Sequence, residues 1–256
     1  MTCSEDLKAF QFKIMSYNSG AGLSRPESLV AMLRSSGSDI VGLQELEVSQ
    51  SRAIEDTLSN EYPYQVLCPA GFEGKGLASR FPIIEHEQID LYPGRPDLRC
   101  VIDLEGVSLT VIVAHPPPPI SFLGTGFDRR AKSQIEGLTH LARSSPRSVI
   151  LGDFNATSWQ DNCARMRAAG LVDSFQLAGR GRGFTLPRRF GPWRRLEVVG
   201  SMLRGLSLYP FLRVDYIWHT PDLRCLKAWV GDDAGSDHLP VLAQLALDGV
   251  ERSCSN

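Results

Sequence analysis

The chain has 256 residues, 43% of them hydrophobic, and a formal net charge of -2 from 27 Lys and Arg against 29 Asp and Glu. That length and apolar content suit one sizeable domain or two small ones, and near-neutrality argues neither for nor against a polyanionic partner. No apolar run approaches the roughly 20 residues that span a bilayer, no export signal is visible at the start, and the six cysteines are unclustered, which fits free thiols better than a disulfide frame or thiolate zinc site and leads us to expect a soluble, cytoplasmic protein.

Phe10 to Tyr17 alternates apolar and polar residues like a half-buried strand and hands Asn18 to the loop Ser19-Gly20-Ala21-Gly22. Leu29, Met32 and Leu33 give Pro26 to Arg34 helical spacing, with Ser24 as cap and Gly37 past the end. Asp39 to Leu43 is a short buried strand followed at once by Gln44-Glu45, which puts a carboxylate at the exit of an apolar run. A helix over Gln50 to Leu58 and a strand over Tyr64 to Leu67 follow. Gly71 to Gly76 is a glycine-rich loop without the spacing of a phosphate cradle. It leads to Arg80, whose side chain admits a phosphate contact or a structural ion pair. Arg99 to Leu104 and Ser108 to Ala114 are two strands joined at Glu105-Gly106. The second ends at His115, because Pro116 to Pro119 cannot continue a ladder.

Phe127 to Ala142 reads as a helix that buries Ile135, Leu138 and Leu141. The apolar strand Ser148 to Leu151 then delivers Asp153 and Asn155, whose side chains point the same way because the strand period is two. After a helix over Asn162 to Ala169, composition shifts: Arg180, Arg182, Arg188, Arg189, Arg194, Arg195, Arg204 and Arg213 meet only Glu197 and are interleaved with Phe184, Phe190, Trp193, Tyr209 and Phe211. A solvated basic loop, a nucleic-acid backbone contact and a membrane-surface contact all fit such a segment. Asp215 lies mid-strand in Leu212 to Trp218, where a carboxylate needs a partner. Ser236-Asp237-His238 supplies one before a last strand ending near Leu247.

Apolar strands that each end in one polar residue, separated by helical stretches, describe an α/β domain with its site along one sheet rim. Asn18, Glu45, His115, Asp153, Asn155, Asp237 and His238 all fall at or just beyond such ends. Hard oxygens with imidazoles and no thiolate cluster favour Mg²⁺ or Mn²⁺ over zinc.

In this order, Ser16-Tyr17-Asn18, Leu43-Gln44-Glu45, Ala78-Ser79-Arg80-Phe81-Pro82, Ala114-His115, Gly152-Asp153-Phe154-Asn155-Ala156, Val214-Asp215-Tyr216-Ile217 and Ser236-Asp237-His238-Leu239-Pro240 resemble the endonuclease/exonuclease/phosphatase superfamily from about Phe10 to Leu247. The resemblance implies a four-layer α/β sandwich of two mixed, mainly antiparallel sheets packed face to face, with helices outside. It implies a single catalytic domain over 10–248, tails over 1–9 and 249–256, and an Arg-rich, aromatic segment over 180–212. By position, Glu45 would bind the metal with Asn18 beside it and Asp237 at a second or shared metal position. Asp153 would orient or deprotonate the attacking water, and Asn155 would hold that water and a phosphate oxygen. His238, aligned by Asp215, would contact the phosphate and act as acid/base, with His115 on the other side. Weaker candidates for substrate contact are Arg80, Arg99, Ser236, Trp193, Arg194 and Arg195.

Two departures accompany the resemblance. Ala114 stands where many relatives carry a polar residue, and Gly191 to Leu212 is longer than the expected connection. Leu196, Val199, Leu203 and Leu206 recur there at helical spacing, which Gly200 and Gly205 weaken. The expected activity is monomeric, divalent-metal-dependent phosphodiester hydrolysis, nuclease-like ahead of phospholipid or phosphoinositide hydrolysis. A nucleic-acid or membrane binder that keeps the fold without turnover is the competing class, and the complete catalytic set argues against it.

Overall fold

The computed structural model describes residues 9–118, 129–189 and 208–247. Along the first half run Phe10–Asn18 (β1), Pro26–Ser36 (α1), Ile40–Gln44 (β2), Val48–Leu58 (α2), Tyr64–Cys68 (β3), Lys75–Ser79 (β4), Ile83–Ile89 (β5), Asp97–Leu104 (β6) and Val107–Ala114 (β7). Then come Arg129–Ser144 (α3), Ser148–Asp153 (β8), Asp161–Ala168 (α4), Val172–Asp173 (β9), Ser174–Ala178 (α5), Asp215–His219 (β10), Leu223–Val230 (β11) and Val241–Leu247 (β12).

The strands form two six-stranded sheets, ordered β11-β12-β1-β2-β4-β3 and β5-β6-β7-β8-β10-β9. Each holds one parallel pair, β1 with β2 and β7 with β8, spanned by α1 and α3 respectively, as a parallel pairing requires. The remaining pairings are antiparallel. Between the sheets lies an apolar layer including Phe12, Ile14, Ile40, Leu77, Val111, Val113, Leu151 and Leu245. The opposite face of the first sheet buries Met15, Val41 and Leu43 under Leu29 and Leu33 of α1 and Ile54 of α2. That of the second buries Ile112, Ile150 and Trp218 under Ile135 and Leu138 of α3 and Met166 of α4. Helix, sheet, sheet, helix is thus the order of the layers, and the sandwich expected from the sequence is the fold observed.

Several elements differ from expectation for local reasons. The residue capping α1 is Arg25, which makes no side-chain cap bond, and Ser24 instead donates to the Ala234 carbonyl at 2.6 Å. Gly37 does close α1, at a φ of 58°. The glycine-rich loop is shorter than it reads, since Gly71–Glu73 is one 3-10 turn and β4 already begins at Lys75. Asp215 is the first residue of β10, not mid-strand. The charged, solvent-facing β5 was not legible as a strand, because its exposed residues lack alternation and it lies at a sheet edge, where charges block further pairing.

The two sheets meet closely where β2 crosses β8. A Cβ at Gly42 would stand 2.0 Å from Leu151 Cδ1, so glycine is what lets that leucine seat against the facing strand. Gly42→Ala is expected to destabilise by about 1–3 kcal/mol through overpacking. Thermal unfolding should show it as a fall of roughly 3–10 °C, and an unchanged midpoint would refute this account of the inter-sheet contact.

Candidate active site

The parallel strands of both sheets end on the same rim. β1 ends in Asn18, β2 is followed by Glu45, β7 by His115, and β8 ends in Asp153. Asn18 Nδ2 donates to Glu45 Oε1 and to Asp153 Oδ2, both at 3.1 Å, so one amide ties a carboxylate of its own sheet to one of the facing sheet. Asn18 Oδ1 accepts from the Gly20 amide at 3.0 Å, which fixes the orientation of the group. His115 Nε2 stands 3.7 Å from Glu45 Oε1 and 3.5 Å from Asp153 Oδ2.

Local geometry explains why these side chains converge. Glu45 has a φ of 53°, an uncommon left-handed conformation for a residue with a Cβ. The turn is held by Ser19, whose hydroxyl donates to the Glu45 carbonyl at 2.9 Å, and by the Ala21 amide, which donates to the same oxygen at 3.0 Å. Gln50 secures Ser19 in turn, accepting from its hydroxyl at 3.0 Å while also accepting from the Glu47 amide in the capping box of α2. At the end of β8, Gly152 lets the chain pass β7, since a Cβ there would lie 1.8 Å from the Ala114 carbonyl oxygen. Asn155 is also left-handed, with a φ of 49°; its amide donates to Asp153 Oδ1 at 2.7 Å and its Nδ2 to the Pro116 carbonyl at 3.0 Å. Uncommon backbone conformations of this kind are retained where a function requires the side chain's direction.

On the other flank, β10 runs antiparallel to β8 with Asp215 opposite Asp153. Asp215 Oδ2 lies 2.9 Å from His238 Nδ1, and His238 Nε2 lies 3.7 Å from Asp153 Oδ2. Ser236 braces the loop, donating to the Asn18 carbonyl at 2.8 Å and accepting from the His238 amide at 3.2 Å. Burial disfavours a charge on His238, but Asp215, Asp153 and Asp237 outweigh it and raise its pKa well above the ordinary value. Asp153 is likewise buried, yet His238 and His115 hold its carboxyl down at about 2. Burial raises the pKa of Glu45, with His115 and His238 opposing.

The arrangement brings together Asn18, Glu45, His115, Asp153, Asn155, Asp215, Ser236 and His238. One oxygen or nitrogen from each of Glu45, His115 and Asp153 lies within 4.8 Å of the others, a grouping of donors that could hold a metal ion. Two hard carboxylates and one imidazole, without a thiolate, are the donors a hard divalent cation accepts. Asp237 is buried but joins neither metal-capable grouping; its Oδ1 accepts from the Ser236 hydroxyl at 3.3 Å.

Arg80 is a correction. β4 runs antiparallel to β2, so Arg80 emerges at the opposite rim, roughly 20 Å from Glu45 at strand spacing. There its guanidinium pairs with Asp39 at 3.1 Å and covers Tyr62, fulfilling the ion-pair reading. Arg99 is also spent on Glu87 and Glu85, at 3.0 and 3.7 Å. Trp193, Arg194 and Arg195 lie outside the described residues. Of the other arginines in the biased segment, Arg188 and Arg189 pair with Asp233 and Arg213 with Asp173, so these three brace the loops beside β10.

Residue-by-residue reading missed Lys75 and Asp97, both buried at the starts of β4 and β6. The available signal was a charge at the first position of a buried strand, the same signal that marked Glu45 and Asp153 at strand exits.

A model of the Endonuclease/Exonuclease/phosphatase family matches residues 15–238. No curated protein sequence matches the chain significantly. Among solved structures, an endonuclease/exonuclease/phosphatase from Beutenbergia cavernae is 19% identical, with a TM-score of 0.67 over 93% of this chain and 72% of its own. D. rerio TDP2 complexed with single strand DNA product is 16% identical, with a TM-score of 0.68 over 92% and 98%. Beta toxin 275-280 from Staphylococcus aureus is 17% identical, with a TM-score of 0.66 over 91% and 99%. These likenesses concern the fold.

The Asp215–His238 contact carries a direct expectation. A raised pKa means that the charged imidazole stabilises the fold below the ordinary value of 6.5 and that this contribution fades as pH rises through the raised value. In metal-free protein, Asp215→Asn should lower the His238 titration midpoint, followed by ring proton–carbon NMR. A midpoint that stays put would show that Asp215 does not hold the proton there.

Proposed function

Because the chain belongs to the endonuclease/exonuclease/phosphatase family, we propose that it is a divalent-metal-dependent phosphodiester hydrolase, nuclease-like in substrate, with residues 10–248 acting as one catalytic domain. The observation that carries this reading is the meeting of two side-chain systems on Asp153 Oδ2: Asn18 at 3.1 Å and His115 at 3.5 Å from one flank, His238 at 3.7 Å from the other.

Hydrolysis at phosphorus needs a water aligned opposite the leaving oxygen, a base for its proton, and positive charge for the oxygens that gain charge. Asp153, ionised at neutral pH, orients the water and accepts its proton. Asn155, beside it on the same strand exit, holds the water or a phosphate oxygen through its amide. His238 is charged and kept in direction by Asp215 at Nδ1, so Nε2 is free to donate toward a phosphate oxygen or the departing alkoxide. His115 faces the same space from β7. Glu45, with Asp153 and His115 as neighbouring donors and Asn18 and Asp237 beside them, would hold Mg²⁺ or Mn²⁺, which supplies charge neutralisation at the phosphate when bound.

Similarity in fold to a protein solved with a single strand DNA product supports the nuclease-like choice. A lipid phosphodiester is the second reading, supported by exposed aromatics near this rim: Tyr209 at 79% and Phe211 at 59% exposure precede β10, and Trp159 at 77% follows Asn155. Such rings serve equally to stack bases or to sit at a lipid interface.

The test is a Mg²⁺ and Mn²⁺ activity panel on plasmid, single-stranded DNA, RNA, sphingomyelin and phosphoinositide. Turnover is expected on at least one polynucleotide, with His238→Ala and Glu45→Ala each losing about 100-fold or more, and Glu45→Ala also weakening Mn²⁺ binding by calorimetry. Turnover confined to lipids would select the second reading. No turnover on any substrate, together with unaltered Mn²⁺ binding in Glu45→Ala, would overturn both.

A further inference from the structure

His115 leaves its sheet under an unusual constraint. β7 ends at Ala114, and Pro116 to Pro118 have no N–H, so the His115 amide is the last donor before a run that cannot pair. The β6–β7 ladder has Leu98 opposite Val113, beyond which only Asp97 remains of β6, with Pro96 before it. The His115 N–H donates not to a ladder carbonyl but to Asp97 Oδ1, at 3.3 Å. Asp97 is itself held from outside the sheet: Gln134 of α3 donates from Nε2 to both of its oxygens, at 3.1 and 2.9 Å.

Both Asp97 and Gln134 are fully buried. A buried carboxylate is costly unless it is paired, and among the described residues no cation lies within ion-pair distance of Asp97. Lys75, on the facing sheet, is felt only at longer range, and its ammonium donates to the Glu73 carbonyl at 3.0 Å. The side chain that does turn on this carboxylate is the one that follows its bonded amide, since the His115 imidazole faces Glu45 and Asp153. The His115 Nδ1 has no partner of its own among the described residues, so on that side the ring is aimed by its backbone, while Nε2 meets Asp153 Oδ2 at 3.5 Å.

We propose that Asp97, clamped by Gln134, is a positioning residue for His115: it fixes the backbone at the exit of β7 and thereby the direction in which the imidazole enters the site. In catalytic terms this rests on the reading of His115 as a phosphate contact. The clamp gives α3, which among the described residues contributes no other group near the rim, a direct mechanical link to it through one glutamine.

A double-mutant cycle on Mn²⁺-supported hydrolysis of bis(4-nitrophenyl) phosphate tests the link. Asp97→Ala is expected to lower kcat about 10-fold or more with KM within about 2-fold, because a small misplacement of a catalytic group costs rate more than binding. In a His115→Ala background the same change should add nothing. Asp97→Asn, which keeps an acceptor for the amide, should retain most of kcat, and Gln134→Leu should repeat the loss more weakly if Asp97→Ala does not fold. A full additional loss in the His115→Ala background would overturn the proposal, leaving Asp97 a structural residue. The ring proton–carbon signal of His115 in metal-free protein is read alongside, independent of turnover. It should shift or split in Asp97→Ala and Gln134→Leu and stay in place in Asp97→Asn. An unmoved signal in Asp97→Ala overturns the inference, whereas a moved signal in a protein without turnover upholds it and faults the assigned activity instead.

Discussion

Two acidic side chains brought together in a buried place repel each other and lose their hydration, and the architecture of this rim depends on how that is relieved. The Asn18 amide does it with two donors, one to Glu45 of its own sheet and one to Asp153 of the other. It is a bond between sheets as much as a bond within a site. The amide cannot serve both carboxylates unless β1 and β8 end at the same level, and below it the sheets are in close contact where Leu151 of β8 packs into the space at Gly42 of β2, the parallel neighbour of β1. The inter-sheet core and the polar cluster are therefore one construction, apolar in the middle and ionic at its edge.

Around the cluster the polar residues fall into two rows. His115, Glu45 and Asn18 form a donor-rich side suited to a cation. Asp215 and His238 form a side suited to carrying a proton, and Asp153 belongs to both. This division follows from topology: the first side is made by exits of parallel strands, the second by the start of antiparallel β10 and the loop before β12. Placing an acid where the two rows meet explains how it stays ionised despite complete burial, since two imidazoles face it.

Strand exits were legible in the sequence because each couples an apolar run to one polar residue, a pattern that physical chemistry makes unfavourable without a purpose. Asn18, Glu45, His115 and Asp153 were found that way, and His238 by its partner Asp215. What was not legible has a common cause as well. Asp97 and Lys75 open strands and do not close them, and Gln134 looks like any polar residue of an amphipathic helix; Ser236 was singled out, but as a substrate contact and not for its bond to the Asn18 carbonyl. Their meaning lies in contacts between segments far apart in the chain. Arg80 illustrates the converse error: adjacency to a strand says nothing about which rim the strand reaches, and the antiparallel turn of β4 sends it away. The arginine-rich stretch was read as one surface, but Arg188 and Arg189 share Asp233 and Arg213 pairs with Asp173, which leaves less free positive charge there than composition suggests.

The pairing of β1 with β12, from Phe10 opposite Leu247 to Ser16 opposite Val241, has a consequence for how the protein comes into being. As the chain emerges from the ribosome, β1 has only β2 beside it until the later loop carrying Ser236 and His238, and then β12, are delivered. Until then Asn18 lacks the serine that holds its carbonyl, and Asp215 stands without its imidazole. A chain cut before that loop lacks both contacts, and one cut before β12 also leaves β1 without its antiparallel neighbour, so the rim depends on a segment far from the strand it completes.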